Sequence, residues 1–171
     1  MNTRSILSMA AIAALSLTLV PSITMAQQKS LKDQIVGTWT LVSWVQTLKD
    51  GSKNLRFGND PKGVNTFTPD GHFTLIITRP NLPKISSGNP EKPTPEEAQA
   101  LVSGSIAYFG TYTVDEAAKT VSEHLDATTL VNQLAIPQTR VVTSIGADAM
   151  TYSNSNAVAG GNIELVWKRA K

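Results

Sequence analysis

The chain has 171 residues, with 15 lysines and arginines against 13 aspartates and glutamates, for a formal charge of +2. Its basic residues are scattered, with no stripe or long run, which argues against a nucleic-acid partner. No cysteine is present. That excludes disulfides, thiolate catalysis, a cysteine-bound metal and a lipid anchor on an N-terminal cysteine.

Residues 1–26 begin with a basic segment at Arg4, run apolar from Ile6 to Val20 and break at Pro21. Thr24-Met25-Ala26 then supplies small residues where a signal peptidase reads. This is the pattern of a secretory signal peptide cleaved after Ala26. The apolar run, about 15 residues, is shorter than the roughly 20 needed to span a bilayer, so no stable membrane anchor is expected. The expectation is one domain, residues 27–171, exported to the periplasm or secreted. Losing Arg4 leaves it 14 basic residues against 13 acidic ones.

Val36 to Thr47 is β-branched and aromatic and reads as the first strand. Plain alternation puts Trp39, Leu41 and Val45 on one face, with Val42 and Trp44 on the other. Lys49-Asp50-Gly51 signals a turn, followed by a weaker strand at Lys53 to Phe57 and a loop at 58–63. Val64 to Thr68 and His72 to Thr78 flank Pro69-Asp70-Gly71, a tight turn with each residue type where turns favour it. The second of these strands alternates, with Phe73, Leu75 and Ile77 on one face, so the two form a hairpin.

Residues 79 to 95 interrupt this rhythm with five prolines. A loop this long in a small domain is usually functional or mobile. It reads equally as a lid over one end of the fold or as a solvated connector. Thr94, Pro95 and Glu97 then form a capping box, starting a helix that runs to about Val102 and stops at Gly104.

Strands resume at Ser105 to Val114, with Ile106, Tyr108, Tyr112 and Val114 on one face. Gly110 suits curvature or a close backbone approach. Lys119 to Asp126 carries Thr120, Ser122, His124 and Asp126 on one face, and Val121, Glu123 and Leu125 on the other. A connector at 127–137 leads to strands at Gln138 to Ile145, Ala149 to Asn154 and Asn162 to Lys168, the last two joined by a loop at 156–161. Short strands at regular spacing predict an all-β fold. That spacing fits a barrel or a sandwich; Gly37-Thr38-Trp39 and Trp167-Lys168-Arg169 at its two ends favour a single antiparallel up-and-down β-barrel of about 8–10 strands, with one short helix after the proline-rich loop.

Several of these segments resemble the bacterial lipocalin-like domain family, a calycin-type barrel. The matching segments are Gly37-Thr38-Trp39 with Leu41-Val42-Ser43, Pro69-Asp70-Gly71 and Gly110-Thr111-Tyr112-Thr113-Val114. His124, Arg140 and the closing Trp167-Lys168-Arg169 follow in the same order. The resemblance implies that Trp39 packs at the closed end of a barrel and that Arg169 lies across it as a plug. It also implies a habit of binding small molecules in the lumen. The mid-chain threonine-aspartate-tyrosine of kernel lipocalins is absent, and so is their disulfide.

Two histidines 52 positions apart, without cysteine, leave no basis for a transition-metal site, and no cofactor is expected. Neither a nucleophile elbow nor a phosphate-cradling glycine loop is present. His72 reads as a surface residue beside its turn. If the His124 face lines the lumen, it offers a titratable imidazole among hydroxyls and a carboxylate. If it faces solvent, Val121 and Leu125 point inward around Glu123. Glu123 and His124, as strand neighbours, point to opposite faces and cannot act as a dyad. Arg140 reads equally as a surface arginine with a solvated head and a packed stem, or as an arginine inside a barrel, which would need an anion or carboxylate, a ligand carboxylate being the attractive one. Tyr108 and Tyr112 could provide an aromatic wall. Three readings follow. One is a barrel that binds a small apolar or amphipathic ligand through Tyr108, Tyr112, His124 and Arg140. Another is a cofactor-independent isomerase, cyclase or hydrolase with His124 as acid/base. The third is a filled barrel that contacts other proteins.

Overall fold

The structure is a computed structural model that describes residues 29–155 and 160–171. The expected signal peptide and residues 156–159 of the loop at 156–161 lie outside the described residues. A short helix, α1 (Leu31–Ile35), precedes strands β1 (Gly37–Thr47), β2 (Lys53–Asn54), β3 (Lys62–Phe67) and β4 (His72–Thr78). Helix α2 (Pro95–Gly104) leads to β5 (Ser105–Asp115) and β6 (Thr120–Thr128). A 3-10 turn at Val131–Ala135 comes before β7 (Gln138–Ile145), β8 (Ala149–Asn154) and β9 (Asn162–Arg169).

All pairings are antiparallel, in the order β2-β1-β3-β4-β5-β6-β7-β8-β9, and β1 pairs again with β9. Eight strands therefore close a barrel, and β2 attaches to β1 as a short extra piece. This is the up-and-down barrel expected from the sequence. The weak strand expected at Lys53 to Phe57 shrinks to Lys53–Asn54. Phe57 instead turns inward and meets Trp44 edge-on at 5.3 Å. The capping box of α2 forms as expected, with Thr94 and Glu97 exchanging hydrogen bonds.

The face assignment of β1 is corrected. A β-bulge against β9 lies between Leu41 and Ser43. One extra residue there exchanges the two faces of the strand. Trp39 and Leu41 face inward below the bulge, while Trp44 and Gln46 face inward above it. Plain alternation had put Trp44 outside and Val45 inside. A second bulge, between Phe109 and Gly110, brings β6 so close that a Cβ on Gly110 would sit 1.9 Å from the His124 carbonyl oxygen. The close approach read from the sequence at Gly110 is present.

The base is closed by α1, which the sequence reading left unassigned. Ser30 caps its first turn, and the Glu116 carboxylate, from the β5–β6 turn, accepts bonds from the Leu31 and Lys32 amides at 2.7 and 3.0 Å. Trp39 is fully buried and donates its indole N–H to the Ile35 carbonyl at 2.8 Å. Arg169 lies over the Trp39 ring at 4.1 Å. Its guanidinium also donates to Val36, Gln34 and Ala147 carbonyls at 2.9, 2.8 and 2.7 Å. Gly37 sits at φ +127°, a conformation that favours glycine, and a Cβ there would also crowd Arg169 Nη1 at 2.6 Å. Above the plug, Phe67, Phe73 and Tyr112 pack ring against ring at 5.0–6.1 Å and fill the lower barrel.

Two outcomes test this account by urea denaturation. Trp39→Ala should cost about 3–5 kcal/mol, the range for emptying a buried tryptophan site. A loss below about 1 kcal/mol would show that the base does not depend on it. Gly110→Ala should cost about 3 kcal/mol, because the added methyl meets backbone that cannot rotate away; a neutral result would contradict the close β5–β6 approach.

Candidate functional site

Above the aromatic base the barrel opens into a cavity of about 530 Å³. This lies within the few hundred to a thousand Å³ usual for small-molecule sites. Trp44, Phe57, Leu75, Ile77, Ile106 and Leu165 form its apolar wall. The bulge in β1 places Trp44 and Gln46 there, and the alternation of β4 contributes Leu75 and Ile77. Gln99, Val102 and Ser103 of α2 border the mouth, together with Arg56 and Arg79. The helix after the proline-rich loop is therefore part of the cavity wall.

A polar cluster sits deeper, where β6 and β7 pair Glu123 with Gln138. Arg140 Nη2 lies 2.9 Å from Glu123 Oε2. It donates to the Gln138 side-chain oxygen at 3.0 Å and to the Tyr108 hydroxyl at 3.2 Å. The ion pair is close but poorly aligned. Arg140 Nη1 and both Glu123 oxygens are buried with no aligned hydrogen-bond partner among the described residues. Burial pushes the Glu123 carboxyl above its ordinary 4.5, and the neighbouring guanidinium opposes that shift. Burial likewise pushes the Tyr108 phenol up to about 12. The Tyr152 phenol is also raised, chiefly by burial, and accepts a bond from Asn65 Nδ2 at 3.3 Å. At neutral pH both phenols are therefore neutral hydroxyls.

The structure brings two of the residues singled out from sequence together at the cavity, Tyr108 and Arg140. Tyr112 lies below, among the base aromatics, with its hydroxyl donating to the Thr68 carbonyl at 2.8 Å. His124 is on the outer face of β6 and exposed, so it does not line the lumen. The reason is register. Glu123 pairs across from Tyr112 on β5, and cross-strand partners share a face, so inward Tyr112 places Glu123 inward and His124 outward. Trp39 and Arg169 meet at the closed end, as described above. Sequence reasoning missed Trp44, Gln46, Gln138 and Tyr152 as lining residues, and Arg56 and Arg79 at the mouth. The one available signal was that Glu123 shares its parity with Val121 and Leu125.

A closed antiparallel barrel with a cavity open at one end is the architecture of a ligand-binding barrel. The model of a lipocalin-like domain matches residues 36–170, and the chain belongs to that family. Among solved structures it is similar to a lipocalin-like protein from Bacteroides uniformis, at 13% identity over 80% of this chain and 99% of the other, with a TM-score of 0.43. It is also similar to a de novo designed fluorescence-activating β-barrel, at 9% identity over 84% and 100%, with a TM-score of 0.42. No curated protein matches the chain.

The raised Glu123 pKa has a definite sign in stability. A carboxyl that titrates higher in the folded state than in the unfolded one stabilises the fold fully below about 4.5, and that contribution is lost as pH rises through the folded value. Glu123→Gln removes this titration. The stability of wild type relative to E123Q, read from denaturation midpoints, should therefore decline as pH rises from about 4.5 towards neutrality. A difference that grows with pH would show that the Arg140 charge, not burial, dominates the carboxyl.

Proposed function

We propose that the protein is an exported binding barrel that holds a small apolar or amphipathic molecule in its lumen. The observation that carries this reading is the cavity of about 530 Å³, with an apolar wall and a fixed polar cluster at its floor. Burying an apolar body against Trp44, Leu75, Ile77 and Leu165 would contribute roughly 25 cal/mol per Å² of surface removed from water. Arg140, Gln138 and Tyr108 would orient a polar group at the deep end. Because the arginine is fixed by three neighbours before a ligand arrives, little ordering cost falls on binding. The exported location rests on the pattern of residues 1–26. The enzymatic alternative built on His124 finds no support in this geometry, since an exposed imidazole on the outer face cannot exchange protons with a molecule in the lumen.

Native mass spectrometry of residues 27–171, purified from the exported compartment, tests the reading. A discrete added mass that is lost on denaturation is the expected result. It should disappear in Leu165→Trp, which puts an indole into the cavity without opening the base. An adduct that persists in the filled variant would place the ligand elsewhere, and no adduct in any preparation would count against a carried ligand.

A further inference from the structure

We infer that the cavity mouth is an anion subsite, where Arg56 and Arg79 hold the charged head of an amphipathic ligand whose apolar body fills the lumen. The inference rests on the binding-barrel reading and adds the charge and orientation of the ligand. Both arginines line the cavity. Neither makes an ion pair among the described residues. Residues 1–28 and 156–159 contain no aspartate or glutamate that could supply one.

The two cations are also held next to each other. Arg79 Nε donates to the Arg56 carbonyl at 2.5 Å, and its own amide donates to the Gly104 carbonyl at 2.8 Å. Arg56 reaches the C-terminal end of α2, donating through Nε to Ser103 at 2.9 Å and through Nη2 to the Val102 and Ser105 carbonyls at 3.2 and 3.3 Å. Its guanidinium stacks over Phe57 at 4.9 Å. These contacts position Arg56 but leave its Nη1, and both terminal nitrogens of Arg79, without an acceptor among the described residues. Two adjacent guanidiniums with free donors match a carboxylate or sulfate, whose oxygens accept bidentate bonds. The crowding is physical as well as geometric: burial and the Arg79 charge both hold the Arg56 guanidinium below its ordinary value. An anion would relieve that repulsion.

The deep arginine cannot do the same job. Arg140 Nη2 already faces the Glu123 carboxyl at 2.9 Å, so an anion placed there would compete with that group for the same nitrogen. Among the described residues, the cavity lining contains no acidic one. The ligand acid expected from sequence at Arg140 is therefore reassigned to the mouth. The floor fits a neutral hydrogen-bonding group or the apolar end of the ligand.

The test is isothermal titration calorimetry of residues 27–171 with straight-chain fatty acids and the matching neutral alcohols, at a pH where the acids are ionised. The acid should bind at least about tenfold more tightly than its alcohol, and the preference should shrink with added salt. Arg79→Gln should cut the preference, and Arg56→Gln with Arg79→Gln should bring it near parity. Arg140→Met should weaken both probes by a similar factor and leave the preference in place. Because Arg79 is exposed, the single R79Q variant keeps the test valid if loss of Arg56 disturbs α2. Equal binding of acid and alcohol by the wild type, or a preference that survives R79Q unchanged, would overturn the mouth assignment alone. A preference lost in R140M but kept in R79Q would move the charged head to the floor. Binding of neither probe would count against both the subsite and the binding-barrel reading.

Discussion

The pairing of β1 with β9 is the constraint from which the rest of the structure follows. It removes the free sheet edges and fixes the circumference at eight strands. A barrel of eight strands has an interior only just wide enough to be filled by side chains or to hold one small ligand. Which of these happens is decided level by level by the size of the inward residues. Near the base, Trp39, Phe67, Phe73 and Tyr112 fill the space. Higher up, aliphatic side chains and amides alternate with a few rings and leave the cavity. The filled-barrel and binding-barrel alternatives thus each describe part of one molecule.

Closure also explains the base. Once the last strand returns beside the first, Arg169 falls within reach of α1 and Trp39, and the helix carbonyls and the indole become its partners. A guanidinium over an indole contributes modestly by itself. Its greater effect is to tie the two ends of the barrel domain to one another, so that the plug and the β1–β9 seam reinforce each other.

Charge is distributed unevenly along the barrel axis, and this gives the site its direction. A buried ion pair is costly to desolvate and needs further hydrogen bonds to offset that cost. Arg140 finds some of these in Gln138 and Tyr108, but Glu123 finds no aligned one among the described residues. The floor is thus polar but compensated. At the mouth, Arg56 and Arg79 are partly hydrated, which makes two like charges tolerable without a counterion. The lumen runs from a cationic rim, through an apolar wall, to a neutral polar floor.

Strand composition, turn chemistry and the α2 capping box are local, and the sequence showed them almost residue by residue. The strand order was also legible, because successive antiparallel strands tend to be neighbours in the sheet, and the Trp39–Arg169 pair was legible through the resemblance to the lipocalin-like family. The bulge at Leu41/Ser43 was not, since it arises from how β1 meets β9, more than 100 residues away in the chain. That single bulge decided that Trp44 and Gln46 line the cavity. The orientation of β6 was open for the same reason: alternation separates His124 from Glu123 but does not say which of them faces inward. Arg56 and Arg79 sit in irregular segments where no periodicity operates, and they meet through a direct bond to each other and through contacts to the end of α2. By itself the sequence determined where the chain turns and, along strands without a bulge, which residues share a face, because those depend on neighbours one to four positions apart. Tertiary structure alone decided which face became the interior and where charge gathered at the mouth, because both depend on contacts made only when the barrel closes.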